Sequence, residues 1–198
     1  MARRPKFDEQ QILDAALALL AEGGVRAVTV AAIARQLGAP SGSIYHRFAA
    51  RDLLLARLWL RTVAWFQADY LQALRSSEDP QVGIAAAVRF VLSWCRTHPA
   101  HGRLLLLYRR HDLLDGAWPD EVASQAQTLA NQIEEAMASF LDTHWPHGEL
   151  AEPLLRLAAI SIPQGAATPY LRAGRPIPPG LDDAVVRASL AVLRKDDA

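Results

Sequence analysis

The chain has 198 residues, 51% of them hydrophobic, with 21 Lys and Arg against 21 Asp and Glu, so its formal net charge is zero. This composition supports one large domain or a small one joined to a larger, and it argues against disorder, a uniformly basic nucleic-acid coat or an acidic tail. One cysteine, Cys95, excludes an internal disulfide and fits a reducing compartment. The longest uncharged run, Leu157–Leu171, is interrupted by Pro163, Gln164 and Gly165, so no membrane span is expected. Arg3, Arg4 and Lys6 precede the apolar stretch Ala15–Ala21, but Asp8, Glu9 and Asp14 intervene, which a signal peptide would not allow. A soluble, cytoplasmic protein is expected. The zero charge is also a sum of unequal parts. Residues 1–51 hold seven basic and four acidic side chains, or +3; the remainder holds 14 and 17, or −3.

Helical spacing recurs along the chain, and alternating strand patterns are scarce. Asp8 caps a first helix that carries Ile12, Ala16, Leu19 and Leu20 on one face. That helix stops at Gly23-Gly24, where a glycine can take the left-handed conformation. Thr29 caps a second helix, with Val30, Ile33, Ala34 and Leu37 at i, i+3, i+4 and i+7 and Gly38 at its end. After Ala39-Pro40-Ser41-Gly42 comes a third helix of two turns, to Phe48, with Ile44 and Phe48 facing inward. A fourth runs from about Arg51 to Leu74; between Leu53 and Phe66 its only charges are Arg57 and Arg61, so most of its circumference is buried. Asp79-Pro80 opens a fifth helix through Phe90, Trp94 and Cys95, broken by His98-Pro99, and a shorter segment follows through Leu104–Leu107 and Tyr108. Trp118-Pro119-Asp120-Glu121 opens another, with Val122, Ala126, Leu129, Ile133, Met137 and Phe140 in register, up to Trp145-Pro146-His147-Gly148. A penultimate helix covers about Glu149 to Arg172, with a kink expected at Pro163. Beyond the proline-rich loop 175–180, a last helix carries Val186, Leu190 and Leu193. The expected fold is all-α with about nine helices: an N-terminal three-helix helix-turn-helix domain, residues 1–51, and a C-terminal helical bundle, residues 52–198.

The second and third helices, joined by a tight turn, have the dimensions of a helix-turn-helix. From Gly23 through Arg51 there is no Asp or Glu, while Arg26, Arg35, Arg47 and Arg51 are present. An acid-free, modestly basic face suits duplex DNA, because each phosphate contact releases a counterion. Ser41, Gly42 and Ser43 are small enough for close entry into the major groove, and their hydroxyls can reach phosphates or base edges. Tyr45 and His46 can bond the backbone or touch a thymine methyl. The competing reading is a plain helical bundle with a solvated basic face, an interaction or scaffold protein without specific DNA recognition.

Thr29-Val30-Ala31-Ala32-Ile33-Ala34, Leu37-Gly38, Ser41-Gly42-Ser43-Ile44-Tyr45-His46-Arg47-Phe48 and Arg51-Asp52-Leu53-Leu54, together with Ala16, Leu20, Glu22 and Gly24, resemble the N-terminal domain of TetR-family transcriptional regulators over about residues 8–56. The resemblance implies a DNA-binding regulator, a repressor, with a role for each matched residue. Thr29 would meet a phosphate, and Ser41, Gly42 and Ser43 would lie at the DNA surface. Tyr45, His46 and Arg47 would contact phosphates or bases, and Arg51 would clamp a phosphate. Arg3, Arg4 and Lys6 would form an arm. The chain departs from the family in having Ser41-Gly42-Ser43 where many relatives carry a basic residue or threonine, and arginines at 47 and 51 where histidine and lysine are frequent; the phosphate role survives both changes to arginine. The resemblance further implies a homodimer on a palindromic operator with half-sites about 34–36 Å apart. Leu157–Leu171, Val186, Leu190 and Leu193 would form its interface or, alternatively, complete the subunit's own core.

The same resemblance implies a small-molecule effector among the middle helices, with Trp65, Phe66, Phe90, Trp94, Tyr108, Trp118 and Phe140 as pocket candidates and an apolar or aromatic ligand. Enzymatic readings are weak. His98 with His101 and His144 with His147 straddle proline breaks without a matching ligand set, Cys95 sits in an apolar run that suits an inert core thiol, and Arg109-Arg110-His111-Asp112 suits a solvated helix end. No phosphate loop or nucleophile elbow occurs. No enzyme activity, metal or cofactor is expected.

Overall fold

The computed structural model describes residues 8–108, 120–144 and 151–193. Trp118, the arm residues Arg3, Arg4 and Lys6, the segment Arg109–Asp112 and His147 lie outside the described residues. Helix α1 (Glu9–Gly23) opens with a reciprocal cap. The Asp8 carboxylate accepts from the Gln11 N–H at 2.8 Å, and the Gln11 side-chain oxygen accepts from the Asp8 N–H at 3.0 Å. Gly24 ends it with φ +71° but an extended ψ of −173°, so it has the positive φ expected there without the left-handed helical ψ. A single 3-10 turn, Val25–Ala27, leads to α2 (Val30–Leu37), capped by the Thr29 hydroxyl on the Ala32 N–H and closed by Gly38 in the left-handed conformation.

Helix α3 (Ser41–Tyr45) is shorter than the two-turn helix to Phe48 read from the sequence. The Ile44 carbonyl accepts from the N–H groups of both Arg47 and Phe48, each at 2.9 Å, and this tightens the second turn out of α-helical geometry while keeping Phe48 buried. Helix α4 (Arg51–Leu74) follows, then α5 (Pro80–Thr97), whose first turn is capped by Asp79. The two cross so closely that a β-carbon at Gly83 would lie 2.4 Å from the Leu74 carbonyl oxygen, a contact only glycine permits. Helices α6 (Pro99–Leu107) and α7 (Asp120–His144) complete the middle of the bundle.

Helix α8 has three consecutive stretches, Ala151–Arg156, a π-helical segment Leu157–Ser161 and Ile162–Ala173. The kink expected at Pro163 is thus a π bulge just upstream. Pro163 has no N–H for the Ala159 carbonyl, and the wider turn relieves the clash of its ring with that oxygen. The buried Tyr70 hydroxyl supplies the missing donor at 3.0 Å, and burial holds that phenol well above the usual tyrosine range. Helix α9 (Leu181–Val192) closes the chain. The fold is all-α, with nine helices and no strand among the described residues.

Two apolar cores fill the molecule. The first joins Ile12, Leu20, Ile33, Ile44 and Phe48 to the head of α4 and continues across residue 51 to Leu104, Val122 and Ala126. The second joins Tyr70, Leu74, Ile84, Leu92 and Trp94 to Met137, Phe140, Ala159, Val186 and Leu193. Val186 and Leu193 therefore complete the subunit's own core, the second of the two readings given for them, and are not available as a dimer surface; Leu157, by contrast, is 42% exposed.

Candidate nucleic-acid interface and effector cavity

The α2–α3 unit presents its polar residues outward on an apolar base. Ile33, Ala34, Ile44 and Phe48 are buried beneath it, and Thr29, Ser41, Gly42, Ser43, Tyr45, His46 and Arg47 are exposed, Tyr45 to 56%. Arg26 and Arg35 are exposed as well. All these side chains come from the segment without a carboxylate, so no neighbouring acid within it competes with a phosphate for them. Seven of the eight residues expected at DNA are thus exposed on this unit.

Arg51 is placed differently. Its Nε donates to the Val28 carbonyl and its Nη2 to the Val25 carbonyl, both at 2.7 Å, while Nη1 lies 3.7 Å from Asp52. These bonds tie the head of α4 to both ends of the 3-10 turn that leads into α2. Sequence spacing identified Arg51 as basic and near the interface; nothing local could reveal that its guanidinium spans more than twenty residues back to those carbonyls.

A second feature lies deeper. A cavity of about 350 Å³ opens between Trp59, Val63, Phe66, Gln67 and Tyr70 of α4, Val91 of α5, Leu105, Leu106 and Tyr108 at the end of α6, Ile133 of α7, and Ile160 and Gln164 of α8. It lies at the seam of the two cores. Trp59 and Tyr108 pack against the first, whereas Tyr70, Val91, Ile133 and Ile160 belong to or pack against the second. Tyr108 also reaches the DNA-binding unit directly, since its hydroxyl lies only 3.2 Å from where a Gly24 β-carbon would stand.

Of the aromatic residues expected in a pocket, Phe66 and Tyr108 line this cavity. Phe90 and Trp94 stand behind Phe66, with ring centroids 5.4 and 4.9 Å from it. Trp65 turns away into a cluster with His98 and His101, and Phe140 packs in the second core near His144. The sequence reading missed Gln67 and Gln164, because a search for aromatics ignores amides. The signal in the sequence was an amide directly after Trp65-Phe66 on a helix expected to be mostly buried, and in the structure Gln67 is only 8% exposed.

The remaining chemistry-bearing groups have structural settings. Burial pushes the Cys95 thiol up to about 12, which keeps it protonated. His101 is lowered to about 4, first by burial and then by Arg61 and His98, against the opposing pull of Asp14. Arg61 itself bonds Gln10 and pairs with Asp14 at 2.8 Å, which links α4 to α1. Arg156 pairs with Glu134 and Glu152, which raises its pKa.

The family model for bacterial regulatory proteins of the tetR family matches residues 12–58. The chain carries the N-terminal domain of the tetR family. The HTH-type transcriptional repressor KstR2 of Mycobacterium tuberculosis is 37% identical over 70 residues, and the match spans about a third of each protein, 35% of this chain and 35% of the relative. Solved structures extend the likeness to the tetR-type bundle. A putative tetR family regulator from Shewanella sp. PV-4 is 22% identical with a TM-score of 0.71, covering 94% of this chain and 96% of its own. The fatty acid degradation regulator FadR of Bacillus halodurans is 19% identical, with a TM-score of 0.72 over 94% and 100%. FadR of Bacillus subtilis, solved with stearoyl-CoA, is 16% identical, with a TM-score of 0.73 over 94% and 100%. At such identities the likeness is one of fold. No described helix is long and apolar enough to cross a membrane.

Proposed function

We propose that the protein is a ligand-responsive transcriptional repressor that binds a palindromic operator as a homodimer and leaves it when a small molecule fills the seam cavity. The observation that carries this reading is the exposed row from Thr29 through Arg47, set on a buried apolar base in a segment without carboxylates. Ser41, Gly42 and Ser43 approach the base edges, and Tyr45, His46 and Arg47 hold the backbone. Arg26 and Arg35 add to the basic face. Arg51 acts through the carbonyls it grips, setting how α2 and α3 sit on α4. The repressor KstR2, alike in this domain, supports the sign of regulation, and the stearoyl-CoA held by the FadR of Bacillus subtilis supports a ligand with a long apolar chain in a fold of this kind.

A cavity between two cores suits control. A ligand that contacts Trp59 and Tyr108 on one side and Ile133 and Ile160 on the other favours one arrangement of the DNA-binding unit over another, which is the differential affinity that allostery requires. Leu157, exposed on α8, lies on the surface proposed for the dimer.

Mobility shifts on DNA from around the protein's own gene test this across a salt series. The expected result is a sequence-dependent shift whose salt slope falls by about 1 in Arg47→Ala. A shift indifferent to sequence, or none, would leave the scaffold reading standing.

A further inference from the structure

We infer that the seam cavity recognises an apolar molecule carrying a neutral hydroxyl, and that the residue which reads the hydroxyl is Gln67. This deepens the proposed function and rests on the effector part of it. Gln67 is buried on α4 and lines the cavity. Its Nε2 donates to the Leu129 carbonyl of α7 at 2.8 Å. A carbonyl can only accept, so this bond settles which end of the amide is nitrogen, and the Gln67 oxygen occupies the other position. Among the described residues that oxygen accepts no hydrogen bond. Gln67 therefore offers its oxygen as a fixed acceptor, beside the second Nε2 proton, at the wall of a mostly apolar cavity, and that pairing suits a group that both donates and accepts.

Three classes of polar head can be ranked against it. A carboxylate brings only acceptors, so it meets the Gln67 oxygen with repulsion, and no described side chain lining the cavity carries a positive charge to offset the loss of its hydration. An ammonium can donate, but it too would be desolvated without a described counter-charge in the lining. A hydroxyl donates to Gln67 at no such cost, and its own oxygen can accept from Gln164, whose side chain enters the lining from α8 with no described partner. The apolar remainder of the molecule lies against Val63, Val91, Ile133 and Ile160. Tyr70 cannot replace Gln67 in this role, because its proton is committed to the Ala159 carbonyl.

Four ten-carbon probes test the inference on the full-length protein: 1-decanol, its methyl ether, decanoate and decylamine, each read by thermal shift and calorimetric titration. The expected result is that 1-decanol raises the melting temperature and binds about tenfold tighter than the ether, with decanoate and decylamine weaker still. In Gln67→Leu the preference for decanol over the ether should fall to about one, with the ether bound as before; Gln67→Met, less branched, serves if the leucine variant does not fold. Decanoate or decylamine binding as tightly as decanol, a preference that persists in both variants, or no binding by any probe would each overturn the inference. A mobility shift without ligand keeps the two claims apart. Its absence would remove the proposed function while the ranking of probes stood, and its presence with the wrong ranking would remove only the hydroxyl reading.

Discussion

The N-terminal domain and the bundle are both helical, but they hold their shape over different distances along the chain. In the first, caps act three residues apart, Asp8 on Gln11 and Thr29 on Ala32. In the bundle, the bonds that fix one helix against another join residues far apart: Gln67 to Leu129 across 62 positions, Arg96 to Ile177 across 81, and Tyr70 to Ala159 across 89. Arg103 reaches both ways, to Leu171 and back to Ala21. The Arg51 bonds to Val28 and Val25 reach furthest within the N-terminal unit, 23 and 26 positions, well short of those in the bundle.

The largest test of this contrast is Phe48→Ala. It removes a side chain only 2% exposed from the first core and should cost about 3–5 kcal/mol in urea unfolding. Because that core continues into Leu104 and Val122, a single transition is expected; two separate transitions would mean that the domains are independent after all. Arg51→Ala should cost about 1–3 kcal/mol, since it removes the donor to the Val28 carbonyl and one of two donors to the Val25 carbonyl, which keeps the Val28 N–H. It should weaken operator binding without changing the salt slope, the opposite of Arg47→Ala; a slope lowered by about 1 would return Arg51 to a phosphate. Tyr70→Phe should cost about 1–2 kcal/mol by orphaning the Ala159 carbonyl beside Pro163, and a neutral result would break the account of the π bulge.

A further effect is with pH. The folded pKa of His101 lies near 4, below the ordinary 6.5, so the unfolded chain takes up the proton first as pH falls. Stability from this group is complete above about 6.5 and declines toward 4, and His101→Gln should flatten the urea midpoint over that window. Arg61, His98 and Asp14 are the charged and titratable groups acting on it.

The same difference in range explains what could be read from the sequence. Asp8, Thr29, Gly38 and Asp79 each signal a helix end within a few residues, and all four stand where the spacing puts them. The α2–α3 surface was legible for the same reason. The cavity was legible only as a supply of aromatics, and five of the seven named do not line it or lie outside the described residues. Which aromatic faces inward depends on helix crossings, and the Gly83–Leu74 approach sets one of them from two residues nine apart with no local motif. Val186 and Leu193 show the same limit: an apolar face announces burial without saying against what.

The grip of Arg51 on Val25 and Val28 also has a mechanical side. Because the guanidinium fastens the head of α4 to the turn before α2, a tilt of the long helix would carry that turn with it. With 24 residues at about 1.5 Å each, α4 is an arm of about 36 Å, so a tilt of about 3° about its far end moves the near end by about 2 Å. A tilt of that size would displace the α2 end of α4 by a distance comparable to a hydrogen-bond length.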